Sequence, residues 1–169
     1  MDVQAIFGLQ FLLSLVTFGV VAGLLAPRLE VLPRRELFFW LTLPHAFRHI
    51  GMVFLVPGVV DRPLPASFAY PAAYGDLAAG VLALGALIAL RKGWSAALAL
   101  VWTFNTVGTL DLLNALRHQT VAPSFGAAWF IPTFLVPLLL VTHSMMFVRL
   151  LRPRALGESS TAVPATAGA

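Results

Sequence analysis

The chain has 169 residues, of which 59% are hydrophobic and 11% charged, and its formal charge is +4. Soluble domains run nearer 25% charged, so this composition excludes an ordinary water-soluble globule and points to a bilayer, as does a mean hydropathy of +0.88. The absence of cysteine excludes disulfides, thiolate metal sites and iron–sulfur clusters.

Five apolar stretches predict five transmembrane helices, at about residues 5–26, 36–58, 70–90, 94–116 and 127–151. Each supplies roughly 20 or more mostly apolar residues, the length a hydrocarbon core of about 30 Å requires. The residues do not alternate strictly, which fits helices and not barrel strands. The first stretch opens on the acidic Met1-Asp2-Val3-Gln4 and is too long for a secretion signal, so it reads as a retained helix. Residues 1–156 therefore read as one all-α integral membrane domain, a five-helix bundle. The small, polar, aperiodic tail 157–169 reads as disordered.

Basic residues set the expected orientation. Arg28, Arg34, Arg35, Arg91, Lys92, Arg149, Arg152 and Arg154 fall on one side, and only Arg62 and Arg117 on the other. That bias predicts an N-terminus outside and a C-terminus in the cytoplasm. The positive charge is thus a matter of topology, and nucleic acid is not an expected partner. Arg-for-Lys usage and abundant Ala point to a bacterial source, hence a multi-pass protein of a bacterial cytoplasmic membrane in contact with lipid. Self-association into a homo-oligomer stays open.

The stretch from Pro57 to Tyr70 is too apolar for a free loop and is expected to fold back over the outer face. Gly19 and Gly23 on the first helix predict close packing, as do Ala72, Asp76, Ala79, Gly80 and Ala83 along one side of the third. Pro132 and Pro137 predict a kink in the fifth helix.

Ionisable groups at hydrocarbon depth cost roughly 2.5–3.5 kcal/mol each and so are expected to face the bundle interior with partners. They are His45, Arg48, His49, Asp76, Asp111 and His143, with Asn105 and Asn114 as polar companions. His45, Arg48, His49 and Met52 are spaced i, i+3, i+4 and i+7, one stripe of an α-helix, which turns Phe47, Ile50 and Phe54 away. Arg48 keeps its proton and needs an anion, so it is expected to pair with Asp76 or Asp111. Asn105, Gly108, Asp111 and Asn114 recur every three residues, drifting about 60° per step around the fourth helix.

These groups predict a buried polar pocket, built on helices 2 to 5, for a hydrophobic or amphipathic small molecule. Arg48, Asn105, Met52, Asn114 and His143 would line it. If the pocket turns over its ligand, His49 or His45 would carry a proton and Asp111 or Asp76 would orient it. In bundle size and intramembrane acids the chain resembles the small sterol-isomerase-like membrane proteins; the resemblance covers architecture alone and implies isomerase-like proton transfer without assigning a residue. No cofactor is favoured. Haem b on His45 and His143, which lie at matched depth, is one alternative, with electron transfer as its function. A non-haem metal on His45 and His49 is opposed by Arg48 between them, so no metal ligands are assigned. A proton path along the polar ladder and an Arg48–Asp pair that only locks the helices are the remaining alternatives. Lys92, the sole lysine, lies in a loop, which excludes an intramembrane Schiff base, and His118 reads as a solvated loop residue.

Overall fold

The computed structural model describes residues 2–152; the tail 157–169 lies outside them. The described residues form helices and no β-strand. Three helices are long and apolar enough to cross a membrane: Val3–Glu30, Ala66–Lys92 and Gly126–Leu150.

Helix α1 (Val3–Glu30) is capped by Asp2, whose carboxylate accepts from the backbone N–H of Gln4 at 3.4 Å. It buries only Phe7 and leaves a broad apolar surface, including Leu12, Leu13 and Leu24, uncovered. The close packing expected at Gly19 and Gly23 is absent: no atom lies within 4 Å of where a Cβ would stand on either. Gly19 instead lines an open groove against the last helix of the chain.

The second stretch departs most from expectation. Helix α2 (Arg34–Thr42) passes at Leu43 into thirteen residues of 3₁₀ helix, Leu43–Leu55. Runs of 3₁₀ beyond three or four residues are uncommon, so tertiary contacts must hold this one. With three residues per turn, His45, Arg48, Gly51 and Phe54 stack on one face, and these four are the buried residues of the segment. An α-helical period would rotate that set progressively out of the interior.

Helix α3 (Ala66–Lys92) begins four residues earlier than expected and supplies the surface the 3₁₀ segment lies on. Ala72, Ala79, Gly80 and Ala83 are all buried, as anticipated for that side of the helix. A Cβ on Gly80 would come within 3.4 Å of the His49 backbone nitrogen, so the two backbones approach as closely as glycine allows. The helix ends on Gly93, whose φ of 73° no β-branched residue would adopt readily.

Helix α4 (Ala97–Leu116) follows, and two 3₁₀ turns (Gln119–Ser124 and Gly126–Trp129) lead to the final span. There the prolines produce a π-helical turn at Ile131–Leu135, before α5 (Val136–Leu150). The Val136 N–H reaches back five residues to the Ile131 carbonyl, and the Thr133 hydroxyl donates to the Trp129 carbonyl at 2.8 Å.

The segment after Leu55 folds inward as expected. Val60 and Leu64 are buried, the Asp61 N–H donates to the Ser124 carbonyl at 3.2 Å, and the Ala127 N–H donates to the Val59 carbonyl at 2.8 Å. Beneath this cap Phe7, Phe54, Phe68 and Phe125 form one apolar cluster. A second cluster at the opposite end joins Leu37, Phe38 and Leu41 to Ala83, Leu90, Val101, Phe104 and Met146. Thr42, His45, Arg48, Asp76, Asn105, Thr142 and His143 fall between the two clusters along their segments. The core is thus two apolar blocks with a polar layer between them.

Candidate functional site

Arg48 is the centre of the polar layer. Its side chain is fully buried, and its guanidinium reaches three other helices. Nε donates to Asp76 Oδ1 on α3 at 2.7 Å, and Nη2 to Asp111 Oδ2 on α4 at 2.5 Å. Nη1 donates to the Gly108 carbonyl at 2.9 Å and faces His143 Nε2 on α5 at 3.5 Å. Arg48 thus pairs with both aspartates at once. A guanidinium has a fixed fork of five N–H donors, which suits it to bridging separate acceptors in this way.

Three glycines make room for this arrangement. A Cβ on Gly51 would collide with the Asp76 carboxylate, and one on Gly75 with that of Asp111. On Gly108 it would come within 2.8 Å of both Arg48 Nη1 and the His143 ring. Close approach explains glycine at all three positions.

Behind Arg48 lies a pair of imidazoles. His143 Nδ1 stands 2.7 Å from Asn105 Oδ1, while the Asn105 amide nitrogen donates to the His143 backbone carbonyl at 3.4 Å. This network assigns the proton to Nδ1 and turns the Nε2 lone pair toward Arg48. The Thr142 hydroxyl donates to the carbonyls of Leu138 and Leu139, so at 2.9 Å it accepts from His45 Nε2. His45 Nδ1 is left buried without a hydrogen-bond partner among the described residues.

The site residues expected from sequence divide accordingly. His45, Arg48, Asp76, Asn105, Asp111 and His143 converge. His49 does not: it is exposed on the opposite side of the 3₁₀ segment, with Nδ1 3.1 Å from its own Ala46 carbonyl. Met52 is half-buried, and Phe54 takes the inward position. The physical reason is the period, three residues per turn in place of 3.6. Asn114 is exposed because three 60° steps carry it to the far side of α4 from Asn105.

The haem geometry also fails. The His45 and His143 ring centroids are 4.1 Å apart, in direct ring contact, with Phe104 packed against both. No porphyrin fits between them. Among the described residues no three His, Asp or Glu side chains form a candidate metal site.

The chain belongs to the family described as Domain of unknown function (DUF8737). Its match extends over residues 6–151, almost the whole described chain. No curated protein and no solved structure matches the chain.

In this DUF8737 chain, a crevice reaches the two aspartates of the polar layer. Asp76 and Asp111 form its floor, Phe7, Phe54, Phe68 and Phe125 its walls, and His118 and Gln119 stand among the residues around it. The crevice has about 30 Å³ open to water-sized molecules, and with its open mouth it comprises about 490 Å³ of unfilled space. His118, expected to be solvated, is half-buried here with its ring 5.9 Å from that of Phe68. Sequence reasoning missed it because the helical turns that fold the loop inward follow no apolar period.

Proposed function

We propose that this protein is a five-span membrane protein that binds a hydrophobic or amphipathic small molecule in the crevice above Asp76 and Asp111. Besides the three long apolar helices, the second span would be α2 with its 3₁₀ extension and the fourth α4. At about 1.5 Å rise per α residue and 2.0 Å per 3₁₀ residue, they reach roughly 40 Å and 30 Å, enough to cross. Asn105, Asp111 and Asn114 depress the hydropathy of α4, and the first two are polar residues a site would need. The charge asymmetry of the loops supports an orientation with the N-terminus outside and the C-terminus in the cytoplasm of a bacterial cell.

The observation that carries the binding reading is that two carboxylates at the floor of an aromatic-walled crevice are the only charged groups of the polar layer to reach it. Ligand sites have this form, apolar walls with a few convergent polar groups. A 30 Å³ cavity holds a water or two, so a larger ligand would be admitted by rotation of the Phe54, Phe68 and Phe125 rings. For proton transfer, His49 faces away and His45 is sealed behind Arg48. Asp111, the more open of the two carboxylates, is the candidate carrier, with Arg48 holding its charge.

A second reading rests on the bonds of Arg48 to three neighbouring helices: the intramembrane ion pair fastens the bundle and nothing binds. Photolabelling separates the two. An alkyl diazirine probe should attach to Phe54, Phe68 or Phe125, and the label there should fall several-fold in Ala115→Phe, which fills the crevice. Labelling confined to the lipid-facing residues of α1 would favour the fastening role.

A further inference from the structure

We infer that the groove between α1 and α5 seats an anionic phospholipid, with its phosphate at Arg149 and Arg152 and an acyl chain along the groove. The site is separate from the crevice and rests only on the membrane reading. Leu15, Gly19 and Ala22 of α1 face Leu140, Ser144 and Val148 of α5 across an apolar groove of about 340 Å³, which Arg149 also lines. Small residues keep it open, and no atom lies within 4 Å of the Gly19 Cβ position.

At the end of the groove nearest the C-terminus of α5, two guanidiniums share one carboxylate. Glu30 Oε1 stands 3.7 Å from Arg149 Nη2 and 3.6 Å from Arg152 Nη1, both longer than a good hydrogen bond. Among these three groups of the described residues, one positive charge is left over. Arg149 is only 8% exposed, and its Nη1 donates to the Met145 carbonyl at 3.2 Å. Its Nε is buried with no acceptor among the described residues. A phosphodiester brings the missing negative charge, and acceptors for the guanidinium N–H groups that Glu30 meets only at long range. A basic pocket beside an apolar interhelical groove is the arrangement that recognises anionic headgroups. Arg152, 55% exposed at its side chain, is the member a headgroup reaches first.

The test is the thermal stability of the full-length protein in detergent micelles with added dimyristoylphosphatidylglycerol or dimyristoylphosphatidylcholine. The anionic lipid should raise the melting temperature by about 5 °C more than the zwitterionic one at saturation. Arg152→Gln, which removes the exposed charge, and Ser144→Trp, which fills the groove from an exposed position, should each abolish most of that difference. Glycerol 3-phosphate, a headgroup without chains, should give no shift. Equal shifts with the two lipids, an undiminished difference in both variants, or a full shift with glycerol 3-phosphate would overturn the inference. Because neither variant touches the crevice, photolabelling of Phe54, Phe68 or Phe125 should persist in both.

Discussion

Arg48 is the side chain with most at stake, because its charge is buried and its partners lie on three other helices. A buried guanidinium is held by the acceptors around it, and removal of one member of such a set leaves the others uncompensated. Arg48→Leu strands two aspartates against each other and should destabilise the fold by about 3–5 kcal/mol. Arg48→Lys should rescue only part of this, since an ammonium lacks the planar fork that spans Asp76 and Asp111. Gly108→Ala pushes a methyl group into Arg48 and His143 and should cost about 1–3 kcal/mol. Gly19→Ala, which meets open space, should be near neutral. Thermal melts of the four variants in one detergent check the order. The pairing of Arg48 with a carboxylate was legible in the sequence, because a permanent charge at that depth leaves few choices of partner. That both aspartates share it was not, since nothing in the spacing of Asp76 and Asp111 reveals that glycines on adjoining segments clear a place for each.

At the level of the element, the 3₁₀ segment decides which residues form the site. Residues 43–55 satisfy either an α or a 3₁₀ reading as a sequence, and the two assign different residues to the interior. A 3.6 period selects His49 and Met52; a period of three selects Gly51 and Phe54. The deciding information lies on α3, whose small-residue face lets the segment approach closely enough for Arg48 to meet Asp76. Sequence periodicity within one element cannot carry that, which is why His49 was expected in the site and Phe54 was not. The polar spiral of α4 was half legible: Asn114 was expected in the pocket with Asn105, but a drift of about 60° per step carries it outward. The chain has no native cysteine, so single spin labels introduced at His49→Cys and Phe54→Cys report the period without interference. The label at 49 should be accessible to oxygen from the lipid and the label at 54 shielded. The reverse pattern would indicate an α-helix.

For the whole molecule, two apolar clusters enclose a polar layer, whose two aspartates open on the crevice beneath the folded loops. The all-helical class and the long apolar spans were legible from composition and run length. The inward fold of residues 57–65 was legible from its apolar content. The loose attachment of α1 was not, because a G-x-x-x-G pattern fits a helix that packs and one that faces lipid equally well. Single cysteines test the proposed topology: a membrane-impermeant maleimide should label Arg62→Cys in intact cells and Lys92→Cys only after lysis. Labelling of both in intact cells would require a different number of spans.

The central claim is that the crevice above Asp76 and Asp111 holds a small molecule. Quantitative mass spectrometry of organic extracts from the purified wild type and from Ala115→Phe, prepared side by side, addresses it most directly. At least one hydrophobic or amphipathic compound should accompany the wild type near one equivalent per chain and be depleted several-fold in the variant, although both proteins melt alike. Identical extracts from two equally stable proteins would contradict it and leave Arg48 as a fastening of the bundle.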